Sequence, residues 1–297
     1  MKTPKGVVNA ILTPFDDAGK IDQAMLEKLT QFLVDGGLHG LFVNGSTGEG
    51  LVLSEDEKYE NLSIIRSVAG NKIDLYGCCI RPSTHQVIAD MERIAELNPE
   101  YVVAVPPLYY PADQEMITKH FVEIAAAAPA PLVLYNIPQV VNKTVLLETL
   151  AKLSVHPNII GVKDSSGDFQ AFVQGASMHA SGEFCWMQGD DLLHSSSLQA
   201  GAEALVTGLG NVSIAANVGV YEAFMKGDEQ AMWSHQKTLN AAYRLVTVLP
   251  GKGVPVIKAA SALLGRSTFR MKDDWLNLTS NEVKIVEGVM KELGLIA

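Results

Sequence analysis

Two kinds of hydrophobic pattern alternate along this chain. Short runs rich in Val, Ile and Leu occur at 7–12, 40–43, 73–77, 101–105, 131–135, 159–163, 184–188 and 204–207, with helical stretches between them. The repeat of roughly 20 to 33 residues is the size of a βα unit. Runs such as VVAV and LVLY are apolar on both faces, the mark of buried parallel strands rather than half-exposed antiparallel ones. The intervening stretches open with helix-start signals. Asp22 precedes QAMLEKLTQFLVDG, Ser54 has Glu57 three residues on as a capping box, and Asp113 precedes QEMITKHFVEIA. Eight such units predict an α/β fold, a (β/α)8 TIM barrel. A doubly wound sheet would normally carry a nucleotide-type glycine fingerprint after its first strand, and none follows residue 12.

Past about Gly227 the strand-like runs stop, and amphipathic helices are expected over 233–249, 256–264 and 281–293. The chain therefore divides into a catalytic barrel, 1–226, and a C-terminal helical extension, 227–297, packed on the barrel or on a neighbouring subunit. A length of 297 residues suits one barrel with an extension.

Charge and composition narrow the function. A net charge of −10 and a pI near 5.2 leave no clustered Lys and Arg for a phosphate backbone, so nucleic acid is not an expected partner. No apolar run approaches the roughly 18 residues of a membrane span, and residues 1–6 lack a signal-peptide layout, so a cytoplasmic protein is expected. Cys78, Cys79 and Cys185 fit neither a zinc spacing nor a disulfide framework and read as core fillers. The scattered histidines include no HExxH, and Gly208-Leu209-Gly210-Asn211 lacks a third glycine. No metal and no cofactor are expected.

In a barrel of this kind, chemistry sits at the carboxyl ends of the strands. The second run ends in Gly45-Ser46-Thr47-Gly48-Glu49, a turn dense in N–H groups and hydroxyls, suited to holding a carboxylate or else an ordinary glycine turn. The fifth ends in Tyr135-Asn136-Ile137-Pro138, with a phenol able to shuttle protons or simply half-buried at a strand end. The sixth ends in Lys163 after an apolar run. A lysine buried there favours the neutral amine that attacks a ketone, whereas one that snorkels to solvent has no such task. Pro106-Pro107-Leu108-Tyr109-Tyr110-Pro111 is a proline-stiffened loop with two more phenols. Asp190 and Asp191 read as a cation site or, more simply, a solvent-facing or hydroxyl-binding loop.

In order along the chain, GSTGE, PPLYY, YNIP and GVKDSSGD resemble the dihydrodipicolinate synthase and N-acetylneuraminate lyase family of pyruvate-dependent class I aldolases. So do Leu12-Thr13-Pro14-Phe15, Leu53-Ser54-Glu55 and Pro255-Val256-Ile257-Lys258. The resemblance spans most of the chain. It implies an enzyme, a lyase in which Lys163 forms an imine with pyruvate or a 2-keto acid and Tyr135 relays the proton. Ser46 and Thr47 would hold the carboxylate, and the Val206 carbonyl, Ser165 and Gly189 would line the substrate. Tyr109 would complete the relay in a neighbouring subunit of a homotetramer, a dimer of dimers.

Departures from the family pattern bear on the substrate. The synthases carry an arginine for aspartate semialdehyde where this chain has Val140, and Arg81, His85 and Leu108 replace residues of their lysine feedback site. Sialic acid lyases carry an acid where this chain has Leu192, and a serine where it has Gly208. What remains resembles aldolases for 2-keto-3-deoxy sugar acids, which yield pyruvate and a small aldehyde. Two alternatives stay open: a true synthase using another cation, with Arg81 the candidate if it points into the site, and a catalytically silent barrel that binds small acids.

Overall fold

The computed structural model describes residues 3–179 and 182–297; Met1 and Lys2, where the leader-peptide reading begins, lie outside them. Eight strands form a closed parallel barrel in chain order: β1 Gly6–Ala10, β2 Gly40–Val43, β3 Asp74–Cys78, β4 Tyr101–Ala104, β5 Leu132–Asn136, β6 Ile159–Asp164, β7 Cys185–Gln188 and β8 Ala204–Thr207. β1 closes on β8 through Val8↔Val206 and Asn9↔Thr207. Among the described residues no helix is long and apolar enough to cross a membrane.

Two apolar layers hold the barrel, as the doubly apolar strands require. Val8, Phe42, Tyr76, Val103, Val133, Met187 and Val206 fill the interior. Leu41, Leu75, Val102, Leu134, Val162 and Leu205 face the surrounding helices. Each such side chain, taken fully out of water, contributes about 1.5–3 kcal/mol. The three cysteines are free and buried, consistent with core filling.

Helix starts fall where the capping residues lie. Asp22, Asp113 and Asp168 accept from Met25, Met116 and Ala171 N–H, and Ser54 forms its capping box with Glu57. The run at 7–12 outlasts its strand because Leu12 N donates to Asn211 Oδ1 (3.1 Å) instead of continuing the ladder. The helix expected over 233–249 starts earlier and is broken. Asp228 caps Glu229–Ala242 by accepting from Ala231 N, and a short turn of helix, Arg244–Thr247, follows Tyr243. Gly253–Leu263 and Ser280–Glu292 complete the tail. It hydrogen-bonds into the barrel, with Gln236 donating to Asp191 O (2.8 Å) and accepting from Ser195 N (2.9 Å).

Candidate active site

At the carboxyl end of β6, Lys163 is buried, 5% exposed, so the solvent-snorkelling alternative is excluded. A register irregularity between Leu132 and Val133 passes over Ile160 and sets Tyr135 directly beside Lys163 across the β5–β6 ladder. Bulges of this kind re-aim side chains near active sites. Lys163 Nζ lies 3.9 Å from the Tyr135 ring centroid and 4.3 Å from that of Phe42. The two rings meet edge to face at 5.7 Å. The amine is thus held in a narrow aromatic slot, with the phenol on the same wall.

Ser165 and Gly189 close one side. A Cβ on Gly189 would sit 2.1 Å from Ser165 Oγ and 3.1 Å from Lys163 Cε, so only glycine leaves room there. Ser165 Oγ is buried and has no hydrogen-bond partner among the described residues, an unsatisfied hydroxyl of the kind that calls for an explanation. The Ser46–Thr47 turn adjoins the loop after β8, since a Cβ on Gly208 would lie 3.5 Å from Thr47 Oγ1. Val206, next to that loop, points into the barrel interior.

Tyr109 is not brought to this site within its own chain. Its side chain is 87% exposed, its φ is +68°, and its ring meets Tyr110 at 5.1 Å.

Asp191 corrects the expectation of a solvent-facing loop. It is 7% exposed and accepts from Thr207 Oγ1 at 2.5 Å, and burial pushes its carboxyl up to about 7 despite that hydrogen bond. Asp190 caps the turn by accepting from Leu192 N (3.0 Å). Among the described residues no cluster of three or more His, Cys, Asp or Glu could hold a metal. Arg81 does not serve as a free cation. Its Nε donates to Asp90 at 2.9 Å, and the same carboxylate oxygen is ion-paired to buried Lys58. Val140, where an arginine would stand for a charged second substrate, is 63% exposed.

Phe42, the floor of the amine slot, was not singled out in the sequence. The available signal was its place one residue before the end of the second strand run.

The chain matches the dihydrodipicolinate synthetase family over residues 3–291. It belongs to that family. An uncharacterized DapA-like lyase of Halobacterium salinarum is 30% identical over 292 residues, covering 98% of this chain and 94% of that one. The 4-hydroxy-tetrahydrodipicolinate synthase of Thermodesulfovibrio yellowstonii is 31% identical over 297 residues, covering 98% and 99%. Among solved structures, dihydrodipicolinate synthase from Thermotoga maritima superposes with a TM-score of 0.92 at 25% identity, covering 98% and 99%. YagE of E. coli, solved in complex with pyruvate, gives 0.93 at 21% over the same shares and so speaks to the fold. The family is one of pyruvate-dependent lyases and synthases, and the chain is accordingly an enzyme of that kind, which sets aside the reading of a catalytically silent barrel.

Proposed function

We propose that this enzyme cleaves a 2-keto-3-deoxy sugar acid, or a close relative, to pyruvate and an aldehyde through an imine on Lys163. The observation that carries the reading is the buried amine of Lys163, pinned over the Tyr135 and Phe42 rings at the barrel mouth. The unprotonated amine attacks the ketone carbon, and the carbinolamine loses water to give the iminium. Removing the proton from the C4 hydroxyl sends the C3–C4 bonding pair into the iminium, which releases the aldehyde and leaves an enamine. Tyr135 moves these protons, C3 is reprotonated, and water frees pyruvate. Ser46 and Thr47 hold the carboxylate, with Ser165, Gly189 and the Val206 carbonyl along the substrate. Tyr109 comes from a neighbouring subunit of a homotetramer.

The second reading, condensation of pyruvate with aspartate semialdehyde, is favoured by the names of relatives about 30% identical. Against it stand Val140, which offers no cation, and Arg81, held by Asp90. Losing a charged, hydrogen-bonded anchor costs about 2 to 4 kcal/mol. Condensation is therefore expected to run about 30- to 1000-fold below cleavage of the best sugar acid in kcat/KM. Pyruvate release across a panel of 2-keto-3-deoxy acids, sialic acid and hydroxyoxoglutarate, beside a semialdehyde condensation assay, decides between them, and efficient condensation would reverse the choice. Free lysine is expected to leave turnover unchanged, because Arg81, His85 and Leu108 offer its ammonium no carboxylate or amide. Inhibition in a simple titration would count for the synthase.

A further inference from the structure

The turn carrying Ser46 and Thr47 is tied to the far end of the chain. Its last residue, Glu49, has φ +58° and is 7% exposed. A non-glycine residue keeps that left-handed backbone only where its surroundings over-determine it. Here they do: Glu49 N donates to Ser46 O (3.1 Å), and Gly50 N to Gly45 O (3.0 Å). Thr13 Oγ1 donates to Gly48 O (2.8 Å) and is itself held by Asn61 Nδ2 (3.1 Å). Both carboxylate oxygens of Glu49 are taken from the C-terminal segment, Oε1 by Lys258 Nζ at 2.6 Å and Oε2 by Lys272 N at 2.8 Å. Lys258 is fully buried on helix Gly253–Leu263, with Nζ 4.3 Å from the Phe15 ring centroid. The same helix meets the site wall, since a Cβ on Gly208 would lie 3.6 Å from Ile257 Cδ1.

We propose that Lys258 is a positioning residue for the substrate carboxylate: through Glu49 it holds the Ser46–Thr47 turn in its binding geometry and cancels a negative charge that would otherwise stand two residues after Thr47 in the same turn. The proposal rests on the reading that this turn binds the pyruvyl carboxylate. A buried ion pair is weak evidence for stability, because an apolar pair of similar volume often serves as well or better. What this pair adds is direction, with the plane of one carboxylate fixed by two donors from different parts of the tail. It also adds neutrality, which matters because the turn greets an anion with N–H and hydroxyl dipoles alone. Burial lowers the Lys258 ammonium to about 8, with Glu49 pulling the other way, as a pair withdrawn from water should behave.

The test is the pyruvate concentration that half-saturates borohydride trapping on Lys163, read by mass, together with kcat for the best substrate. Lys258→Met is expected to raise the half-saturating concentration about tenfold or more while kcat changes less than about threefold, the split that marks lost ground-state binding. The double variant Glu49→Gln, Lys258→Met removes the unpaired charge, so it is expected to melt close to wild type yet keep a rise of about fivefold, because the tether is still missing. Equal half-saturation in wild type and the double variant overturns the proposal, as does a fall in kcat without any rise. Should both variants fail to fold, Glu49→Gln alone keeps the size of the side chain and is expected to give a rise of about threefold; no rise overturns the proposal. Absence of any adduct on the wild-type protein sinks the pyruvate reading itself, and this inference with it.

Discussion

Lys163→Met is expected to abolish turnover, on the order of 10⁴-fold or more, the scale seen when a covalent nucleophile is removed. The methionine side chain matches the lysine stem in length and fills the slot between the Tyr135 and Phe42 rings. The barrel should therefore keep its fold, and a melting curve near wild type separates lost chemistry from lost structure. Lys163→Arg is expected to fail as completely, since a permanent guanidinium cannot act as a nucleophile. Wild-type protein treated with pyruvate and borohydride should carry one reduced pyruvyl group on Lys163, and both variants none. A label on another lysine, or turnover retained by either variant, would rule out the imine at this position.

How much of this was visible in the sequence differs from residue to residue. The strands and the capped helix starts were legible because period and capping are local properties. Lys163, Tyr135 and the Ser46–Thr47 turn stood out as candidates because strand ends are where a barrel keeps its chemistry, and the structure sets Tyr135 beside Lys163 across the β5–β6 ladder. The orientation of Lys163 was not. Strict alternation cannot place both Ile160 and Lys163 inside the barrel, and only the β5–β6 irregularity reconciles them. Phe42 looked like any core phenylalanine until the lysine was placed above it. Glu49 and Lys258 lie 209 residues apart, and nothing local announces that one would satisfy the other. Arg81 and Asp191 were noticed for their charge, yet their direction is decided by partners on other elements, Asp90 for one and Thr207 for the other.

Tyr109→Phe is expected to lower kcat by about 10²- to 10⁴-fold, the usual worth of a positioned proton-transfer group, while leaving pyruvate trapping on Lys163 nearly intact. The reason lies in where the residue sits. Its backbone occupies the left-handed region, uncommon for a bulky side chain, and its phenol projects from a proline-rich loop into solvent. An exposed phenol on a strained loop makes sense if a second copy of the chain receives it, and a twofold pair would then exchange the two tyrosines reciprocally. Mixing tests this directly. Lys163→Ala subunits lack the amine but can lend Tyr109, whereas Tyr109→Phe subunits keep the amine but lack the phenol. Each hybrid pair regains one complete site, so equal mixing should restore roughly a quarter of wild-type activity when subunits reassort at random. If subunit exchange is demonstrated by mass and activity stays at the level of the parents, Tyr109 acts within its own subunit or not at all. The large effect of Tyr109→Phe would then need a different explanation, since this chain alone leaves that side chain in solvent.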